Sequence, residues 1–208
     1  MATADPAPRD RAPRHEQRAG GFGAVRVVPV VPDADAGLLH GWVTAGRARF
    51  WGMAGLTRDQ VRDVYAHLDT LGTHHAYLMV LDGEPAALLQ TYDPAADRVS
   101  ECYAVEPGDV GVHLLVGPAA GAVRPGFTAA LLEVVIGFVA AGGARRLVVE
   151  PDADNGPAIA RMNREGFILG PEVTLPEVDL PEVYLPPKRA RLAFRPVRPA
   201  PGGGGRVA

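Results

Sequence analysis

Hydrophobic and polar positions follow two rhythms along this chain, and the places where the rhythm changes mark out its elements. Ala24 to Val31 reads as a first strand, after which Asp33 and Asp35 open a short helix carrying Leu38, Leu39, Trp42 and Val43 on its apolar face. A second helix is better bounded. Thr57 and Gln60 have the S/T-x-x-E/Q spacing of a capping box, and Val61, Val64, Tyr65 and Leu68 follow on one face. Two apolar runs, AYLMVL and PAALLQTY, flank Asp82-Gly83, where glycine permits the positive φ of a tight turn; the pair predicts an antiparallel hairpin.

Gly111 to Gly117 (GVHLLVG) reads as a buried strand, Thr128 to Ala141 as a largely buried helix, and Arg145 to Glu150 (RRLVVE) as a short strand ending on an acid. Strand, helix, strand in this order is a parallel crossover, so the sheet is mixed and the class is α/β (α+β). Asn155 to Glu165 supplies another helix, Gly166-Phe167 stops it and starts a strand, and Arg189 to Phe194 forms the last strand. Thr174 to Pro187 (TLPEVDLPEVYLPP) repeats LPEV and is expected to be an extended, proline-stiffened connection. The patterned region is one domain, residues 23–197. Residues 1–22, rich in Pro, Arg and Ala, and residues 198–208, rich in Gly and Pro, read as disordered tails.

Composition narrows the function classes. Apolar residues make up 47% and charged residues 22% of the 208, ordinary globular usage. A net charge of -3 gives no reason to expect nucleic acid or an anionic membrane as partner. With Cys102 the only cysteine, no intrachain disulfide and no thiolate zinc site can form, and Cys102 itself reads as a small apolar residue. The first twenty residues lack the apolar stretch of a signal peptide, and no segment offers eighteen consecutive apolar residues. A cytoplasmic protein acting on a small molecule is the expectation, with no metal bound. His74-His75 lie near a helix end, without matching ligands.

The element order matches the GNAT superfamily, and GVHLLVGP, EPDADN, PKRARL, WVTAGRARFWGM and Gly126-Phe127-Thr128 resemble a narrower group. These are the siderophore-biosynthesis N-acyltransferases of the aerobactin, desferrioxamine and mycobactin pathways. The resemblance spans roughly residues 25 to 195 and implies a mixed sheet with a splayed central strand pair, flanked by helices. It implies acetyl-CoA or another acyl-CoA as co-substrate, and His113 and Glu150 as the catalytic pair. The chemistry supports the pair independently, because acyl transfer from a thioester needs a nitrogen lone pair and a base to accept its proton. Histidine titrates in the right range for that base. Glu150 ends its strand where ligands of open α/β sheets gather, and can orient His113 or take a proton. A core histidine and a solvated acid are the alternatives.

By the same resemblance, the backbone of Leu114, Leu115 and Val116 faces the pantetheine arm, and the helix after Gly126 turns free N–H groups toward the pyrophosphate. Arg124, Gly126, Phe127 and Thr128 stand in that loop, but Arg124-Pro125-Gly126-Phe127-Thr128 has one glycine where the superfamily has two, and Pro125 removes an amide donor. An ordinary loop before a helix is the alternative. Asn155 resembles a pantetheine-side asparagine and equally fits an N-cap. Trp51 falls on the acceptor side, and Asp109 is placed to attract a cationic amine or to make a turn.

The implied reaction is acylation of the terminal nitrogen, N-hydroxylated, of lysine, ornithine or a diamine, giving a hydroxamate. The acceptor is alternatively an antibiotic or protein amine, and a binding domain without turnover is the third reading. Pro171 to Pro187 is placed either to cover the acceptor site or to join two copies in a homodimer.

Overall fold

The structure, a computed structural model, describes residues 6–118, 124–180 and 183–198. In chain order its elements are β1 (His15–Arg18), β2 (Ala24–Pro29), α1 (Pro32–Val43), α2 (Arg58–Thr70), β3 (His74–Leu81), β4 (Glu84–Tyr92) and β5 (Asp109–Val116). There follow α3 (Phe127–Ala141), β6 (Arg146–Val149), α4 (Gly156–Arg164), β7 (Ile168–Leu175), β8 (Val178–Leu180), β9 (Val183–Leu185) and β10 (Lys188–Pro196). A single sheet orders eight strands as β1-β2-β3-β4-β5-β6-β10-β7, and β8 and β9 pair apart from it. Every pairing in the large sheet is antiparallel except β5 with β6, which the α3 crossover makes parallel.

Local chemistry sets the boundaries. Asp82 and Gly83 both take positive φ in the β3–β4 turn. Thr57 accepts from the Gln60 amide while the Gln60 side chain accepts from the Thr57 amide, a complete capping box. One face of the sheet is covered by α1 and α2, with Leu39, Trp42, Val61 and Tyr65 packed on Val28, Leu78, Val80 and Leu88. The other carries α3, whose Leu131, Leu132, Val134, Val135 and Val139 meet Val25, Val27, Met79, Leu89 and Val112, with Met162 of α4 at the edge.

Two expectations are corrected. Residues 1–22 were expected to form a tail, but Pro8–Asp10 makes a 3-10 turn and β1 pairs with β2 from His15↔Val27 to Arg18↔Ala24. Arg11 anchors this segment: its Nη1 and Nη2 donate to Asp35 Oδ2 at 2.5 Å and Oδ1 at 2.8 Å, with both side chains buried at the start of α1. The TLPEVDLPEVYLPP connection is a hairpin, β8 pairing with β9 from Val178↔Leu185 to Leu180↔Val183. Arg98 clasps its base by donating to the carbonyls of Pro176 at 2.9 Å and Pro186 at 2.8 Å. Residues 199–208, also read as a tail, lie outside the described residues. Among the described residues no helix is long and apolar enough to cross a membrane, and no group of His, Cys, Asp and Glu is arranged to hold a metal ion.

Candidate active site

β5 and β6 are in register only over Asp109↔Arg146, Val110↔Leu147 and Gly111↔Val148, whereas β5 stays paired with β4 as far as Val116↔Ala87. Beyond Gly111, then, β5 has a neighbour on one side only, and a cleft opens on the other. The Gly117 amide donates to Ala86 O at 2.7 Å. Antiparallel ladders alternate, so Gly117, Leu115 and His113 turn their backbone groups to β4, and Val116 and Leu114 turn theirs into the cleft. Of the three residues expected to offer backbone to pantetheine, Leu114 and Val116 are so directed; Leu115 is not, and its side chain packs against the α1/α2 core instead.

His113 sits where the cleft begins. Its Nε2 lies 2.5 Å from Oε1 of Glu150, which follows the last residue of β6 and is 5% exposed. The two predicted catalytic residues therefore meet because parallel strands bring them together across 37 positions of sequence. Burial pushes the Glu150 carboxyl up, but the His113 charge and hydrogen bond, with Lys188 beside it, outweigh burial and hold it below the ordinary range. Lys188 Nζ also donates to the Glu150 carbonyl at 3.1 Å. Both ring nitrogens thus face acceptor oxygens, because Nδ1 lies 3.3 Å from the side-chain carbonyl Oε1 of Gln90, the cross-strand partner of His113.

Tyr92, opposite Gly111, lies beneath the pair. Its ring stands 5.1 Å from the His113 ring and stacks on His74 at 5.6 Å and 13°. The absence of a side chain at Gly111 makes the room, since a Cβ there would fall within the Tyr92 ring. Burial, and then the neighbouring Glu150 charge, raise the Tyr92 hydroxyl well above its ordinary range. Asp97 adds a second carboxylate near His113. Burial raises it, yet the bond from His74, the Val99 amide and the His113 charge together leave it lowered. Trp51 closes the other side, edge-on to His113 at 6.1 Å. Gln90, Tyr92 and Asp97 were not found in the sequence, because cross-strand register and chain reversal gather them and neither leaves a motif; Lys188 stands in PKRARL but was given no role there.

At the far end of the cleft, Gly126 takes positive φ as the N-cap of α3. The Phe127 amide is already given to Arg124 O at 3.1 Å and the Ala130 amide to Gly126 O at 2.9 Å, which leaves the Thr128 and Ala129 amides without helix partners. The Arg124 guanidinium lies 4.6 Å over the Phe22 ring and 5.7 Å from Phe127. Residues 119–123 lie outside the described residues. Asn155 caps α4, accepting from the Ala158 amide at 3.3 Å. Asp109 is a correction: its carboxylate is 1% exposed, pairs with Arg146 at 2.7 Å through both oxygens, and also accepts from Tyr103 and the Glu106 amide. It lies four residues before His113 with its acceptors filled, so it holds β5 to β6 and has no oxygen to offer an amine.

A free strand edge thus begins at the His–Glu pair. The model of the acetyltransferase (GNAT) domain matches residues 31–175, and the chain belongs to that family. It is thus an acyl-CoA-dependent N-acyltransferase. No curated protein matches. Among solved structures the chain is similar to an uncharacterised protein from Bacillus halodurans, with TM-score 0.71 and 22% identity over 90% of this chain and 92% of that one. An aminoglycoside acetyltransferase in complex with coenzyme A is similar with TM-score 0.67 and 21% identity, over 83% and 94%. RimL, a ribosomal L7/L12 alpha-N-protein acetyltransferase in complex with coenzyme A, follows at 0.59 and 16%, over 88% and 98%. These likenesses are of fold.

Proposed function

We propose that the protein acylates the N-hydroxylated terminal nitrogen of lysine, ornithine or a diamine, forming the hydroxamate of a siderophore. The 2.5 Å contact between His113 and a buried Glu150 at the mouth of the cleft carries the catalytic part of this reading. Glu150 orients the ring, and the His113 imidazole takes the proton as the acceptor nitrogen attacks the thioester carbon. The C–S bond then breaks and the CoA thiolate leaves, to be protonated. A hydroxylamine is largely neutral at pH 7, so its lone pair is available without stripping an ammonium. The carboxylates of Glu150 and Asp97 favour an acceptor carrying a second, cationic nitrogen, as lysine, ornithine and diamines do. The motifs GVHLLVGP, EPDADN and PKRARL support the hydroxamate over other amides.

The second reading is an antibiotic amine acceptor, which the likeness to the aminoglycoside acetyltransferase favours. Thiol release from acetyl-CoA separates the two. Supply of N-hydroxylysine, N-hydroxyornithine or N-hydroxycadaverine is expected to release CoA and give a product that colours with ferric iron. Turnover with kanamycin and none with the hydroxylamines refutes the hydroxamate reading. CoA binding with no turnover of any acceptor leaves a binding domain.

A further inference from the structure

The 3-10 turn Gly46–Trp51 touches the free part of β5 at two points. Its last residue, Trp51, faces His113, and its second, Arg47, donates through Nη1 to the carbonyl of Val116. The turn therefore walls the cleft over the stretch from His113 to Val116, about 10 Å at roughly 3.3 Å per residue. The reacting carbon belongs at the His113 end. Arg47 stands at the other, where β5 leads toward Arg124 and the start of α3.

We propose that Arg47 is a phosphate contact for acyl-CoA, adding from the turn before α2 a second positive charge to that of Arg124. Three observations carry this inference, which rests on the acyltransferase reading. Among the described residues next to α3, Pro125 has no amide hydrogen and the Phe127 amide is spent on Arg124 O, which leaves the Thr128 and Ala129 amides as donors that a nearby cation would assist. Arg124 is drawn over the rings of Phe22 and Phe127, leaving one aromatic-held cation at that end. Arg47 is exposed, and among the described residues no carboxylate lies within ion-pair reach of it; its one bond is to a carbonyl that points into the cleft. A guanidinium so held keeps donors free, and its planar fork matches a phosphate. The Val116 carbonyl aims it, as the ring faces aim Arg124.

The test is calorimetric binding of CoA, dephospho-CoA and S-acetylpantetheine to the wild type, Arg47→Ala and Arg47→Lys. Arg47→Ala is expected to weaken CoA about tenfold and S-acetylpantetheine less than twofold, with the melting temperature unchanged; Arg47→Lys recovers part of the loss. If dephospho-CoA shows the same tenfold loss, the contact is to the pyrophosphate; if it shows none, the contact is to the 3′-phosphate. Equal CoA affinity in Arg47→Ala and wild type overturns the proposal and leaves the acyltransferase reading standing. Tighter binding by Arg47→Ala also overturns it, making Arg47 a competitor for the Val116 carbonyl. A wild type with no affinity for CoA overturns both.

Discussion

Arg11→Ala tests whether the opening of the chain belongs to the domain. The Arg11 and Asp35 side chains are 4% and 2% exposed, and the guanidinium also donates to Pro6 O at 2.9 Å and Pro29 O at 3.1 Å. Truncating Arg11 leaves a buried carboxylate without its counter-charge, a change that costs about 3–5 kcal/mol in buried pairs. Asp35 keeps the Val31 amide at 2.8 Å and a place in the first turn of α1. The helix dipole there is worth about 0.3–1 kcal/mol. The expected loss therefore lies toward the lower end, about 3 kcal/mol. For a domain of this size that lowers the melting temperature by roughly 6–12 °C, at roughly 2–4 °C per kcal/mol. Urea and thermal unfolding of the wild type and Arg11→Ala in one buffer give the difference directly. Replacing both partners, Arg11→Met with Asp35→Leu, is expected to return most of the loss, because no charge is then stranded. If Arg11→Ala melts with the wild type, the segment before β2 contributes nothing and the pair is incidental.

Asp109→Asn carries a pH signature. Burial raises the Asp109 carboxyl, but the bonds from Arg146, the Glu106 amide and Tyr103 outweigh burial and hold it below its ordinary 3.8. Its contribution is therefore full above that value and lost as pH falls through the depressed folded pKa. Unfolding in urea is expected to show Asp109→Asn weaker by about 2 kcal/mol at neutral pH, the scale of hydrogen bonds to a charged group, with the gap to wild type closing only below pH 3.8; a gap that does not change with pH removes the ion pair as its cause. Gly111→Ala forces the Tyr92 ring from beneath His113. Overpacking of this kind costs about 1–3 kcal/mol, and turnover is expected to fall further than stability accounts for. Wild-type turnover with lowered stability would separate Tyr92 from the site.

Local signals were read well wherever one chemical feature decides the backbone. Asp82-Gly83 fixed the β3–β4 hairpin because the turn demands positive φ, and Thr57 with Gln60 fixed the start of α2 because both ends of the capping box lie within four residues. β1 was missed because His15-Glu16-Gln17-Arg18 is polar and pairs on one side only, so no alternation records it. What holds it, Arg11 on Asp35, spans 24 residues. The β8–β9 pairing was hidden by prolines at 176, 181, 186 and 187, which read as stiffening one extended connection, whereas Pro176, Pro186 and Pro187 flank the two strands. His113 and Glu150 could be singled out in the sequence because one stands in a motif on β5 and the other opens a motif just after β6. Gln90 and Tyr92 could not, since their place beside His113 is set by the register of β4 on β5, and nothing local distinguishes them from any other strand residue. Asp109 was misassigned for the same reason: an acid before a strand looks free until its partner, Arg146, is paired opposite it.

The account turns on His113 as the base of acyl transfer, and the rate of CoA thiol release from acetyl-CoA by His113→Ala, measured with a hydroxylamine acceptor, tests it. The expected result is turnover at least tenfold below wild type, about 1.4 kcal/mol of barrier, with CoA affinity and melting temperature unchanged. Wild-type turnover by His113→Ala would remove His113 from the mechanism and, with it, the role given to Glu150.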